Sequence, residues 1–178
     1  SSGKMGFALA EACAERGAEV TLVAGPVSLK THHPAIKRID VESAGEMYQA
    51  AMTAFPSSDA AILCAAVADY RPENASEQKI KRETEREMTL HLVPNPDIAA
   101  SLGAIKREGQ VMVGFALETN DEATHAEGKL KRKNLDFIVL NSLRDQGAGF
   151  RCDTNKITII DNAGGVTSYP LKTKREVA

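Results

Sequence analysis

The chain has 178 residues and a formal net charge of −2, with 43% hydrophobic and 26% charged residues. That suits one soluble domain with a proper core, and its charge balance carries no global field for nucleic acid or an anionic membrane. With 4% aromatic residues and no Trp it lacks the stacking platform of a single-strand binder. Cys13, Cys64 and Cys152 are scattered and odd in number, which implies reduced thiols in a cytoplasmic protein and not a disulfide frame or zinc site. No signal-like stretch opens the chain and no apolar run reaches membrane length.

In chain order, Lys4 to Arg16 reads as a helix, with Met5, Ala8, Leu9, Ala12 and Cys13 on one face and Gly17 as its stop. Glu19 to Ala24 is a strand ended by Gly25-Pro26. Lys37 to Val41 is a short strand, and Ala44 to Phe55 a helix with Met47, Ala51 and Phe55 on its apolar side. Ala60 to Ala68 is apolar without alternation, which predicts a central parallel strand covered on both faces. Tyr70 to Glu87 is charged and aperiodic, an exposed excursion before a strand over Met88 to Val93. A helix follows over Asn95 to Arg107, then a strand over Val111 to Ala116, a helix over Asp121 to Lys133 and a strand over Phe137 to Leu140. Arg144 to Asn155 reads as loop. Lys156 to Asp161 and Val166 to Pro170 form a hairpin about Asn162-Ala163-Gly164-Gly165. The order predicts an α/β fold: a doubly wound, mainly parallel sheet closed by an antiparallel hairpin, forming a single domain over residues 1–178.

Five stretches carry candidate chemistry. Ser1-Ser2-Gly3 at a helix start fits a phosphate turn in which backbone N–H groups converge on an anion, or simply an N-cap. A nicotinamide dinucleotide is disfavoured, because the glycines are spaced G-x-x-G and Ala24-Gly25-Pro26 stands where a ribose-binding acid belongs. A P-loop fails for want of an upstream glycine and of Ser or Thr after Lys4. Ala65 and Ala66, with Asp69 just beyond, leave room at a strand end where open α/β sheets bind ligands. Lys79 and Lys81 alternate about Ile80, next to Arg82, as a solvated run or as cations folding over a triphosphate. Asn95-Pro96-Asp97-Ile98 reads as a capped helix start with proline at its first position. Lys129 and Lys133 lie one helical turn apart, suited to an anion or to the helix C-terminal dipole.

The segments SSGKMGFALAEA, GPVSL, AAVADYRP, EQKIKR, VPNPDI, VGFALET and KLKRKNLDFIVLN, in this order, resemble phosphopantothenoylcysteine synthetase. The similarity is to the bacterial CTP-dependent type, usually fused behind a flavin-containing phosphopantothenoylcysteine decarboxylase, and it spans the whole chain. It implies a Rossmann-like sheet with an extended flap and dimerisation excursion. The reaction it implies is a ligation in coenzyme A biosynthesis, in which the carboxylate of 4′-phosphopantothenate attacks CTP. The acyl-cytidylate then passes its acyl group to the amine of L-cysteine, releasing CMP.

By the resemblance, Lys79 is the catalytic flap lysine. Asp69, Lys79, Asn95, Pro96, Asp97, Ile98, Phe115, Lys129 and Lys133 form the nucleotide site. Ser1, Ser2, Gly3, Ala65 and Ala66 face phosphopantothenate or the triphosphate. Magnesium accompanies CTP, with Asp69 the candidate protein ligand, and the family works as a homodimer. The resemblance also implies a strand and an asparagine ahead of Ser1 and a final helix after Val177. Arg82 stands where a third lysine is common and keeps its charge. An ATP-using relative and a non-catalytic nucleotide-binding module are the alternatives.

Overall fold

The computed structural model describes residues 2–74, 76, 78–80, 88–118, 122–142 and 153–178. Its first helix, α1 (Lys4–Glu15), buries Met5, Phe7, Ala10, Ala12 and Ala14. The helix ends where Gly17 takes φ +92° and donates its N–H to the Ala14 carbonyl, a conformation that residues with a Cβ rarely adopt. Strands β1 (Val20–Ala24) and β2 (Ile36–Asp40) then pair in parallel, Val20 opposite Ile36 and Ala24 opposite Asp40. Helix α2 (Ala44–Ala54) begins with a reciprocal cap. Ser43 Oγ accepts from Glu46 N–H, and Glu46 Oε2 accepts from Glu42 N–H.

The larger sheet has the order β10-β9-β7-β6-β3. It comprises β3 (Ala60–Leu63), β6 (Val111–Glu118), β7 (Phe137–Ser142), β9 (Ile157–Asp161) and β10 (Val166–Ser168). β3, β6 and β7 run parallel, while β9 and β10 complete the sheet antiparallel. Alternation along β6 divides the core. Met112 and Ala116 join Leu102, Leu130, Leu135, Ile138 and Ile160 beneath α3 (Ile98–Ile105) and α4 (Glu122–Arg132). Val113 and Phe115 face the other way, with Val139, Ile157 and Val177. Leu102, Met112, Ile138 and Ile160 are fully buried, each worth about 1.5–3 kcal/mol by transfer from water. Gly114 packs closely on this face: a Cβ there would stand 2.7 Å from Leu135 Cδ1, so that side chain would have to shift.

Several elements differ from their sequence expectations. The Ala60 to Ala68 run forms a strand only over Ala60–Leu63, and among the described residues it pairs with β6 alone. Within the described residues its positions alternate between exposed and half-buried. β1 and β2 pair with each other in a separate two-stranded parallel sheet.

The helix expected from Asn95 starts at Ile98, with Asp97 as its N-cap and Pro96 ahead of the cap. Asn95 is held elsewhere, as described below. The excursion opens as β4 (Tyr70–Pro72), paired antiparallel with β5 (Leu92–Pro94), three residues at the end of the expected Met88 to Val93 strand. The expected loop ends as β8 (Thr154–Asn155), paired with β11 (Lys172–Thr173). The short helix α5 (Lys174–Val177) follows, closed by a Thr173–Glu176 capping box. Two-residue strands have no period to detect. Lys81, Arg82 and Ser1 lie outside the described residues.

Candidate active-site cleft

The cleft has a volume of about 2250 Å³, well beyond the range of an ordinary small-molecule pocket. Its walls come from α1, β1, α2, β3, the start of α3, the end of α4 and the last turns of the larger sheet. It runs to the C-terminal ends of the parallel strands, where α/β sheets bind ligands.

At one end Ser2, Gly3 and Lys4 enter α1. Gly3 sits at φ +75°, and a Cβ there would lie 3.1 Å from Val27 Cγ1, so both conformation and space call for glycine. The N-cap is Gly3 itself, with no side-chain cap, which leaves the expected serine cap unrealised. The leading N–H groups of a helix project beyond its first turn and its dipole is positive there, so this end favours an anion.

Beyond β3, Ala65, Ala66 and Asp69 line the cleft as an exposed ledge. Asn95 holds that ledge in place: its backbone N–H donates to the Asp69 carbonyl at 2.8 Å and its Nδ2 to the Ala68 carbonyl at 2.8 Å. Arg71 Nη1 in turn donates to the Pro94 carbonyl and to Asn95 Oδ1. Thus Asn95 acts here by clamping the Ala68–Asp69 backbone to the β4–β5 ribbon.

The opposite wall carries the ion pair Lys133 Nζ–Asp97 Oδ2 at 2.9 Å. Asp97 Oδ1 also accepts from Ala100 N–H at 3.0 Å. Partial burial works against ionisation of Asp97, but that N–H and the Lys133 ammonium outweigh it and hold the carboxyl below the usual aspartate value. Pro96, Ile98 and Lys129 line the cleft near this pair, and Phe115 lines it from the opposite face of β6. A close helix crossing sets the geometry of this wall. A Cβ on Gly103 would fall 2.1 Å from the Lys133 carbonyl oxygen, and Asn134, at φ 51°, donates its Nδ2 to the Gly103 carbonyl. Asp136 Oδ2 completes the frame, accepting from Lys106 Nζ and Met112 N–H at 2.6 Å each.

Ser2, Gly3, Ala65, Ala66, Asp69, Asn95, Pro96, Asp97, Ile98, Phe115, Lys129 and Lys133 therefore share one cleft. Lys79 does not line it; the residue is exposed on the excursion. Sequence reasoning missed Asn141, Asn155, Lys174 and Cys64, which also line the cleft. Asn141 carried a signal, a polar residue directly after an apolar strand. Asn155 and Lys174 carried none, sitting in elements too short to predict. Burial pushes the Cys64 thiol up to about 11, with the nearby Lys174 charge opposing, so the thiol stays protonated at neutral pH and is a poor nucleophile. Among the described residues no three His, Cys, Asp or Glu side chains cluster as a metal site, and no helix is long and apolar enough to cross a membrane.

Comparison with known proteins places this arrangement. The family model for the DNA/pantothenate metabolism flavoprotein C-terminal domain matches residues 1–178. A relative from an unknown prokaryotic organism, named Cysteine/Cysteine sulfinic acid decarboxylase, is 58% identical over 100% of this chain and 49% of its own length. The Coenzyme A biosynthesis bifunctional protein CoaBC of Vibrio parahaemolyticus is 52% identical over 89% of this chain and 40% of its own. Its Escherichia coli counterpart is 47% identical over 98% and 43%. The chain thus spans about half the length of these relatives or less. The crystal structure of the C-terminal domain of CoaBC superposes with TM-score 0.81 at 36% identity, over 99% of this chain and 78% of that one. A Cab2 variant in complex with phosphopantothenate-cysteine shares the fold, with TM-score 0.73 at 15% identity over 99% and 75%. The mainly parallel α/β fold with this cleft, and a family match running from the first residue to the last, make the chain a member of the DNA/pantothenate metabolism flavoprotein C-terminal domain family.

Proposed function

We propose that this domain is a phosphopantothenate–cysteine ligase of coenzyme A biosynthesis that activates its acid with CTP. The observation that carries this reading is the convergence of an anion-favouring helix start, the Ala65–Asp69 ledge and the Asp97–Lys129–Lys133 wall on one cleft. The CoaBC relatives and the fold shared with a protein that holds phosphopantothenate-cysteine support it.

A carboxylate does not react with an amine until it bears a leaving group. In the first step a carboxylate oxygen of phosphopantothenate bonds to the α-phosphorus of CTP, and pyrophosphate leaves with the electron pair of the broken P–O bond. In the second, the cysteine nitrogen bonds to the acyl carbon, the C–O bond to CMP breaks, and the amine proton passes to solvent. Ser2, Gly3 and the first turn of α1 hold phosphate oxygens, while Ala65 and Ala66, lacking bulk, let the substrate lie against the backbone. Lys129 and Lys133 supply positive charge beside the nucleotide, and Lys79 is carried over it when the excursion folds down. A magnesium ion fits a site made of one protein carboxylate, Asp69, and the substrate's own phosphates. When bound, it neutralises phosphate charge.

A homodimer is part of the proposal, supported by the exposed apolar excursion, where Tyr70, Ile80, Met88, Leu90 and Leu92 are each 57–61% exposed. Fusion to a flavin-dependent decarboxylase is proposed from the length of the CoaBC relatives.

The test is ligation of phosphopantothenate and cysteine by the full-length protein with CTP or ATP, following CMP or AMP, pyrophosphate and product. Cysteine-dependent CMP release is expected. Preference for ATP would reassign the nucleotide, nucleotide binding without turnover would leave a binding module, and carbon dioxide release from cysteine in its place would overturn the ligase reading.

A further inference from the structure

Arg38, in the middle of β2, binds three parts of the chain with one side chain. Its Nη1 donates to the Leu29 carbonyl at 2.6 Å. Its Nε donates to Asp40 Oδ1 at 2.8 Å, with Nη2 2.6 Å from the same oxygen. Asp40 lies two residues on, so both side chains leave the same face of the strand and the carboxylate orients the guanidinium. The Cζ atom stands 5.3 Å from the centroid of the Phe7 ring, within the distance at which a cation is drawn to an aromatic face. A planar fork of five donors can meet all three partners together, which a single ammonium cannot.

These contacts close a ring on the start of α1. Phe7 is one turn along from Gly3 and donates its N–H to the Gly3 carbonyl at 3.0 Å. Gly3 meets Val27, since a Cβ on Gly3 would lie 3.1 Å from Val27 Cγ1 and 3.5 Å from its Cβ and Cγ2. Val27 precedes by two residues the Leu29 carbonyl that Arg38 holds. Both sides of the Gly3–Val27 contact therefore lead back to Arg38. Gly3, Val27 and Phe7 line the cleft, and Arg38 stands behind them.

Glycine is the residue least able to fix its own backbone, and Gly3 caps α1 at φ +75° with no side-chain cap. Packing from outside has to narrow its choice, and Val27 is placed to do so. We propose that Arg38 is a positioning residue for the turn at Gly3: by holding the 25–29 stretch against α1 it keeps Val27 on Gly3, and so sets the direction of the N–H groups that open the helix. Resting on the ligase reading, it acts on the substrate phosphate held at that turn without touching it. Small misplacements of such donors are costly, because a hydrogen bond weakens steeply with angle and a bound substrate reacts only in a narrow range of geometries.

Steady-state kinetics of the full-length protein tests the role. Arg38→Met keeps an apolar stem beside Phe7 and removes every donor. It is expected to raise KM for one phosphate-bearing substrate, CTP or phosphopantothenate, roughly 10-fold, with kcat and KM for cysteine within about two-fold of wild type. Val27→Ala, which opens the contact at Gly3, should raise KM for that same substrate. If Arg38 acts through Val27, the double variant rises no further than about two-fold beyond the larger single effect, whereas independent effects multiply. Multiplied effects, an unchanged KM, or a parallel loss for all three substrates overturns the proposal. Should Arg38→Met fail to fold, Arg38→Lys, which keeps the charge and loses the fork, carries the same comparison. If wild type ligates with neither nucleotide, the ligase reading fails. Calorimetric titration of CTP and of phosphopantothenate into wild type and Arg38→Met then decides: weaker binding of either by the variant supports the role, and equal binding of both, or none by wild type, rejects it.

Discussion

The two walls of the cleft solve their electrostatics in opposite ways. On the α3–α4 side, Asp97 and Lys133 neutralise each other, Asp97 also caps a helix, and Asn134 and Gly103 lock the crossing beneath them. On the β7–β8 side, two buried amide oxygens have no partner among the described residues. The first wall is complete by itself. The second keeps two acceptors, Asn141 Oδ1 and Asn155 Oδ1, that no described residue satisfies. Groups with functional work are identified less by their charge than by whether the fold already satisfies them.

That contrast breaks most visibly at the helix crossing. Gly103→Val is expected to destabilise the domain by about 3 kcal/mol, because the added Cβ meets the Lys133 carbonyl, a backbone atom that cannot rotate away. Chemical denaturation measures it. A fully stable Gly103→Val protein would show that the crossing is looser than its contacts imply.

Asn95→Ala comes next, removing the Nδ2 bond to the Ala68 carbonyl and the acceptor for Arg71. A loss of about 1 kcal/mol is expected, with a larger proportional rise in KM for the nucleotide, since the Asp69 ledge loses its clamp. The unsatisfied wall should respond with the other sign. Asn155→Leu, which removes a buried orphan acceptor at similar volume, is expected to leave stability unchanged or raise it by about 1 kcal/mol. Destabilisation comparable to that of Asn95→Ala would mean that Asn155 is a structural amide after all.

The smallest effect is on the ion pair. The Asp97 carboxyl titrates below its ordinary value in the folded protein, so its contribution to stability is present above the unfolded-state pKa and is lost as pH falls through the lower, folded value. In Lys133→Met that titration, followed by carbon NMR of the carboxyl, should move upward. Partial burial favours that rise, and the Ala100 N–H that still donates to Asp97 opposes it.

Much of the frame was legible in the sequence because it rests on local periodicity. The 3.6-residue pattern from Lys4 and the apolar strands over Val111 to Ala116 and Phe137 to Leu140 appear within a residue or two of their expected ends. The ledge, Lys129 on α4 and Lys133 just past its end were also legible, since strand ends and helix spacing locate them. Three features were not. The Ala60 to Ala68 run was expected as one strand, but its pairing ends at Leu63, and apolar composition alone does not mark that end. Asn95 looked like the start of a helix, and only the fold shows its amide reaching back to Ala68. Asn155 and Lys174 lie far apart in the chain from α1 and in elements of two and four residues; pairing of β8 with β11 brings them to the cleft.

Sequence alone determined the class of fold, its order of elements and a charge balance that leaves anion binding to local groups, because these depend on composition and on contacts a few residues apart. Tertiary structure decided which polar groups are already satisfied and which are not. That is a property of burial and of partners distant in the chain, and no local pattern encodes it.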